Sequence, residues 1–134
     1  MAERRRRTAR AAKSPLEIGW EMGAKLWGKE RFIKMEKSAK ELHPGFWDLA
    51  LMSWAPFARP GLSRKQRSLA LVAALTVLGR DDELRMHVFG ALANGASQRE
   101  IEETIVHVAP YGGLPVTRGA LVAAKKCFAE YQPS

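Results

Sequence analysis

The feature that most constrains this fold is the lack of any two-residue alternation of apolar and polar side chains long enough for a β-strand. Apolar residues recur instead every three or four positions, which is the period of one face of an α-helix. Ser63 with Gln66 and Ser97 with Glu100 form capping boxes, which mark helix starts. The sequence therefore predicts an all-α protein of about six to seven helices with short connections.

The positive charge of the chain is concentrated at its beginning. Residues 1–13 hold six of the 22 arginines and lysines and one acid, so the net charge of +8 divides into +5 there and +3 over the remainder. A basic segment without apolar periodicity predicts a disordered tail, followed by a single helical domain over residues 14–134. The tail could contact nucleic acid through salt-sensitive ion pairs, but a solubilising role is the stronger expectation.

Hydrophobic runs, cysteines and histidines limit the classes of function. The longest apolar run, residues 69–78, is about half of a membrane span, and no hydrophobic signal segment follows the basic start. We therefore expect a soluble, cytoplasmic protein with no membrane partner. The single cysteine, Cys127, excludes an intrachain disulfide and any CxxC motif. The three histidines occur in no HExxH or HxH spacing, so no metal site is expected.

The helix beginning near Asp81 carries three functional side chains within five residues: Glu83, Arg85 and His87. An imidazole can move protons near neutral pH, and a guanidinium can anchor an anion. Glu83 and His87 are four residues apart and share a helix face, whereas Arg85 points elsewhere. The spacing permits joint catalysis by Glu83 and His87, but by itself it favours an ordinary surface pair.

Four tryptophans lie between residues 20 and 54, more than a small core needs. Aromatic side chains can wall an apolar pocket, fill a subunit interface or simply pack in a core. Trp20 and Trp54 are candidates for pocket walls, with the ordinary core role equally open.

Several sequence blocks carry a family likeness. RPGLSRKQRSL at 59–69, GRDDELRMHVFGALANG at 79–95 and SQREIEETIVHVAPYGGLP at 97–115 occur in order before an alanine-rich helix. Over about residues 54–130 the chain resembles the carboxymuconolactone decarboxylase family. The resemblance implies an alkylhydroperoxidase D-like helical subunit that assembles into a trimer or hexamer, with pockets near the subunit interfaces.

The family has a peroxidase branch and a decarboxylase branch. The peroxidase branch has a glutamate followed by CxxCxxxH. Aligned by His87, the two cysteine positions hold Arg80 and Glu83, and the glutamate position holds Ser68. Peroxidase activity is therefore disfavoured, because a thiolate is the nucleophile it needs. The chain instead resembles the decarboxylase branch, whose ELxxH pattern it retains at Glu83, Leu84 and His87.

The decarboxylase resemblance implies a reaction on γ-carboxymuconolactone or a related small unsaturated lactone or activated acid. Electrons left by the departing CO2 can spread into the lactone, so the reaction needs no cofactor. His87 is the expected proton donor, with Glu83 orienting it and raising its basicity. The candidate substrate-binding residues are Arg85, Arg80, Arg118, His107, Tyr111, Trp20 and Trp54.

Two departures from the family pattern leave the substrate open. The first helix lacks an expected arginine ahead of its glycine, and Arg118 stands where a small or amide residue is usual. The alternative is a non-redox family member that binds a small hydrophobic acid or a protein partner without catalysis.

Overall fold

A computed structural model describes residues 12–133, and these residues are predominantly α-helical without a β-strand. This confirms the all-α prediction. Residues 1–11 of the predicted tail lie outside the described residues. Lys13, its last residue, pairs with Glu21 on the first helix at 2.6 Å. The helices, with one 3₁₀ turn at Ala55–Ala58, are α1 Pro15–Trp27, α2 Lys29–Leu42, α3 Pro44–Trp54, α4 Arg64–Val77, α5 Asp81–Ala93, α6 Gln98–His107, α7 Ala109–Gly112 and α8 Leu114–Glu130.

Both predicted capping boxes are present. The Ser63 hydroxyl accepts a hydrogen bond from the Gln66 backbone N–H at 3.1 Å, and the Gln66 side chain accepts one from the Ser63 N–H at 2.8 Å. Ser97 and Glu100 exchange the same pair of bonds at 3.0 and 2.8 Å. These bonds satisfy backbone donors that a helix start otherwise leaves without partners.

The described residues hold one more helix than the six to seven predicted. The apolar pattern predicts one helix from residue 101 to 111, but α6 ends at His107 and the four-residue α7 follows Val108. Pro110 explains the break, because its ring has no N–H to donate and clashes with the preceding helical turn.

The N-terminal part of the fold packs around Phe32, which is fully buried. The rings of Trp47 and Trp54 on α3 both lie 5.1 Å from it between centroids. Helix α1 crosses α3 so closely that a Cβ built on Gly19 would lie 2.0 Å from the carbonyl oxygen of Leu51. The three- and four-residue spacing of Leu16, Trp20, Gly23 and Trp27 predicts Leu16 on the buried face of α1, but Leu16 is 37% exposed and Gly19 is buried.

A second buried cluster joins α4, α5, α6 and α8 in the C-terminal part. Leu84, Val88, Ile101 and Ile105 are fully buried there, together with Cys127. Phe89 packs against both clusters, so α5 links them. This arrangement fixes the position of His87 on α5 relative to the aromatic residues of α1–α3.

Among the described helices, none combines the length and the hydropathy that crossing a bilayer requires. The association of subunits stays a prediction.

Candidate active site

Helices α2, α3 and α5 enclose a cavity of about 790 Å³ that opens to solvent. Glu83 and His87 both line it, as their four-residue spacing on α5 predicts. Most of the other side chains around it are apolar, and five are aromatic or aliphatic residues of α3. The remaining lining residues are Arg31, Lys34, Met35, Ser38, Ala39, Leu42, Phe46, Trp47, Leu49, Ala50, Ser53, Trp54 and Met86.

His87 is the partly buried imidazole of this cavity. Its ring lies 6.4 Å from the ring of Trp27 between centroids, with the planes at 77° in an edge-to-face arrangement. Burial lowers the pKa of His87 below the ordinary 6.5, because an imidazolium loses hydration in an apolar environment. No hydrogen bond to His87 is found among residues 12–133. Because its pKa lies below 6.5, His87 is mainly neutral at pH 7 in the protein without a ligand.

Glu83 does not orient His87 as predicted. Its carboxylate forms an ion pair with Arg80, three residues earlier, in which Arg80 Nε donates to Oε2 at 3.4 Å and a second nitrogen donates to Oε1. These hydrogen bonds lower the pKa of Glu83, so it is a carboxylate at neutral pH. The predicted increase in the basicity of His87 is wrong for this structure, because burial outweighs any effect of the nearby carboxylate.

Two cations on α2 line the cavity and were missed by the sequence interpretation. The Arg31 guanidinium lies 5.8 Å from the ring centroids of both Trp27 and Phe89, which line a second cavity, so Arg31 lies between the two cavities and lines both. It has no ion-pair partner in the described part of the chain. Lys34 pairs with Glu30 at 3.2 Å on the helix surface. Their positions one turn before Met35 and Ser38 are a signal for a shared face. The apolar spacing of this helix instead predicts Phe32, Met35 and Ala39 facing inward with the lysines outside.

The predicted cation Arg85 lies outside this cavity. It pairs with Glu130 on α8 at 3.2 Å and lines a separate cavity of about 750 Å³ near the end of the chain. The spacing argument that Arg85 faces away from Glu83 and His87 is thus confirmed. Arg80 also occupies no part of the lining, although its ion pair with Glu83 holds it beside the cavity.

Three other predicted binding residues are far from His87 in chain order and line different surfaces. His107 is exposed near Glu103 and Thr104, and Arg118 lines a shallow pocket with Leu114 and Leu121. Tyr111 is 83% exposed. The single chain does not bring these residues to the His87 cavity, because none of α6, α7 and α8 packs against α2 or α3, the helices that form the rest of its lining.

Of the two tryptophans predicted to line a pocket, the structure places one at the cavity. Trp54 lines the cavity as predicted, next to Trp47, which was not predicted. Trp20 does not line it. Its indole N–H donates weakly to Glu36 at 3.5 Å, and its ring packs edge-on against Phe32 at 5.9 Å. Trp20 thus contacts Phe32, which in turn packs against the lining residues Trp47 and Trp54.

The positions that distinguish the peroxidase branch hold other chemistry here. Arg80 and Glu83 form an ion pair where cysteines would stand. Ser68 is buried and accepts a hydrogen bond from Asn94 at 2.9 Å. Cys127 is buried on α8, and burial raises the pKa of its thiol. Within residues 12–133, no cluster of three His, Cys, Asp or Glu side chains has a geometry for a metal ion.

The fold and the cavity define a class: a small all-helical protein with an imidazole and a guanidinium at a largely apolar cavity. Residues 45–126, more than half of the chain, match the carboxymuconolactone decarboxylase family model. This chain belongs to that family.

Similar proteins include two decarboxylases. The 4-carboxymuconolactone decarboxylase of Acinetobacter baylyi is 33% identical over 112 residues, which cover 82% of this chain and 84% of that protein. The nitrosuccinic acid decarboxylase npaB of Metarhizium robertsii is 40% identical over 68 residues, 51% of this chain and 48% of its own length. These similarities support a carboxy-lyase type of activity.

A third relative has no described activity. It is an uncharacterized 15.0 kDa protein of Paracoccus denitrificans from the nqo9–nqo10 intergenic region, 46% identical over 76 residues. The match covers 55% of this chain and 57% of that protein.

Proposed function

We propose that this chain is a cofactor-free decarboxylase of γ-carboxymuconolactone or a related small unsaturated lactone or activated acid. The presence of His87 in an apolar cavity that Arg31 also lines carries the proposal, because it combines a proton-transfer group with an anion anchor that has no ion-pair partner among residues 12–133. The similarity to two decarboxylases supports the reaction type.

The proposed reaction breaks the bond between the ring carbon and its carboxylate. CO2 leaves, and the electron pair spreads through the ring double bond to the lactone oxygen. His87 then gives a proton to the carbon next to the lactone carbonyl, and solvent reprotonates the imidazole. The substrate accepts its own electrons, so this step requires only positioning, charge stabilisation and one proton transfer.

The low pKa of His87 suits this role. An imidazolium with a lowered pKa is a stronger acid and transfers its proton more readily to carbon. A dianionic substrate in the cavity adds negative charge beside the ring, which raises the pKa and favours protonation when the substrate binds. Substrate binding would therefore favour the protonated, positively charged form of His87, which is the proposed proton donor.

We assign Arg31 to the retained carboxylate of the substrate. An arginine without an intramolecular carboxylate partner can form two parallel hydrogen bonds with a substrate carboxylate. The departing carboxylate would lie toward the apolar wall of Met86 and Trp54, where loss of charge as CO2 is favoured. Glu83 lines the same cavity, and its ion pair with Arg80 offsets its negative charge.

The test is turnover of γ-carboxymuconolactone by the purified protein, followed by loss of lactone absorbance and release of CO2. His87→Asn should lower the rate by about a hundredfold or more, since general acid catalysis contributes that much. His43→Asn is the matched control, because His43 only caps α3 through a hydrogen bond from Gly45 N–H at 3.1 Å. Equal rates for wild type and His87→Asn would contradict the proposed role.

The substrate panel should include a nitro acid. A nitro group next to the departing carboxylate accepts its electrons as the lactone does, and one similar protein is named a nitrosuccinic acid decarboxylase. Ligand binding without CO2 release from any activated acid would favour the alternative of a binding protein without catalysis.

A further inference from the structure

The cavity at His87 is elongated, and its two ends differ in chemistry. On α2 the lining residues follow one helical stripe from Arg31 through Met35 and Ala39 to Leu42. At 1.5 Å per residue, this stripe is about 16 Å long. Both cations, Arg31 and Lys34, lie in its first turn, and the apolar residue Leu42 ends it.

Helix α3 adds further apolar residues at the end of the groove where α2 ends. His43 alone joins α2 to α3, so Leu42 and Phe46 lie together at the joined end of the two helices. The catalytic imidazole belongs to the opposite end, because the ring of Trp27 lies 6.4 Å from His87 and 5.8 Å from Arg31. The cavity is therefore a groove with a cationic, proton-transferring end and an apolar end.

Three large apolar side chains at the apolar end of the groove are exposed to solvent. Leu42 is 78% exposed, Leu49 is 66% exposed and Phe46 is 49% exposed, and all three line the groove. Adjacent exposed apolar residues of this size on a protein surface usually mark a binding site. A compact dianion held at Arg31 would leave this end empty.

We propose that the ligand of this groove is an amphipathic carboxylic acid, with its carboxylate at Arg31 and an extended apolar body along α2 and α3 to Leu42. This inference rests on the proposed active site and narrows its substrate class. The charge at this end fits the one carboxylate that a substrate retains after CO2 has left, since Arg31 is the lining cation without an ion-pair partner among residues 12–133, whereas Lys34 pairs with Glu30. The volume of about 790 Å³ accommodates a body much larger than one lactone ring.

The test measures binding of unreactive acids, so it does not depend on catalysis. Butanoate, hexanoate, octanoate and dodecanoate are titrated into the full-length protein by isothermal titration calorimetry. Affinity should rise by up to about fourfold for each added methylene, the factor for complete burial of that group. Dodecanamide, which lacks the charge, should bind at least about tenfold more weakly than dodecanoate.

Two variants separate the ends of the groove. Arg31→Gln should weaken dodecanoate binding and leave dodecanamide binding unchanged. Leu42→Ser should weaken dodecanoate binding and leave butanoate binding unchanged. The matched control is Leu78→Ser, because Leu78 is 68% exposed at the end of α4, away from the groove. Each variant should remain folded, because the replaced side chains are exposed. Far-UV circular dichroism checks this.

An affinity that does not vary with chain length, or equal effects of Leu42→Ser and Leu78→Ser, would overturn the inference. It would also be overturned if dodecanoate fails to bind and Leu42→Ser changes the oligomeric state in sedimentation, because a second copy of the chain would then cover the groove. Turnover of γ-carboxymuconolactone without chain-length dependence would contradict this inference alone. Length-dependent binding without any decarboxylation would contradict the proposed function alone.

Discussion

The imidazole of His87 meets the indole of Trp27 edge-on, with ring centroids 6.4 Å apart and planes at 77°. Trp27 belongs to α1 and is nearly buried, so an aromatic residue of the N-terminal cluster covers a side chain of α5. This contact removes water from one side of the imidazole. It is part of the burial that lowers the pKa of His87, and it connects the packing of the fold to the proposed chemistry.

The pH dependence of decarboxylation should follow the protonated fraction of His87. The pKa of His87 in the free protein lies below 6.5, so kcat/KM should already fall tenfold per pH unit above pH 6.5. The fall in kcat should occur at higher pH, because a bound anionic substrate raises the pKa of the imidazole. Steady-state profiles between pH 5 and about 9 measure both limbs. A kcat/KM that rises through pH 6.5 would instead identify His87 as a base.

Replacement of Glu83 by Gln should leave the pKa of His87 almost unchanged. The Glu83 carboxylate is bound to Arg80, and burial is the cause of the shift at His87. The His87 ring signals in an NMR titration of Glu83→Gln should therefore follow the wild-type curve. The thermal midpoint should also stay unchanged within error, since an exposed ion pair contributes little to stability. A pKa that falls further in Glu83→Gln would mean that the carboxylate supports the imidazolium in solution.

Helix type and position were predictable from the sequence for physical reasons. Capping bonds such as that between Ser63 and Gln66 involve residues three positions apart, so local sequence determines them. The break after His107 was missed because the apolar period of α6 continues through Pro110, and periodicity does not include the missing backbone donor of proline.

The site was only partly predictable, because spacing on one helix does not select a partner. Glu83 can reach Arg80 three residues before it or His87 four residues after it, and both spacings permit contact. The ion pair is favoured because both of its groups remain charged and near solvent, whereas His87 is partly buried and its pKa is lowered by that burial. Arg31 was missed because the placement of α2 and α5 around one cavity depends on tertiary structure that local sequence does not encode.

Because α1 and α3 cross closely at Gly19, replacing this glycine by alanine should lower the free energy of unfolding markedly. A Cβ at position 19 would lie 2.0 Å from the carbonyl oxygen of Leu51, so Gly19→Ala must move the two helices apart. We expect a loss of about 1–3 kcal/mol or more in the free energy of unfolding, measured by urea denaturation. Gly45→Ala is the control, since the nearest atoms to its Cβ would be 3.4 Å away in the His43 ring. Equal stability of the two variants would contradict the tight crossing.

The aromatic wall of the cavity should depend on Phe32, although Phe32 itself does not line it. Its ring is fully buried and lies 5.1 Å from both Trp47 and Trp54, so it holds these two wall residues in place from behind. Phe32→Ala should lower the free energy of unfolding by about 3–5 kcal/mol, because it leaves a cavity among rigid rings. The control Ile33→Ala changes a neighbour that is 48% exposed and should have a much smaller effect on unfolding by urea. In the fraction that stays folded, the tryptophan fluorescence of Phe32→Ala should shift to the red as water reaches Trp47 and Trp54, whereas the spectrum of Ile33→Ala should not change. An unshifted spectrum together with wild-type stability would show that the tryptophans keep their positions without Phe32.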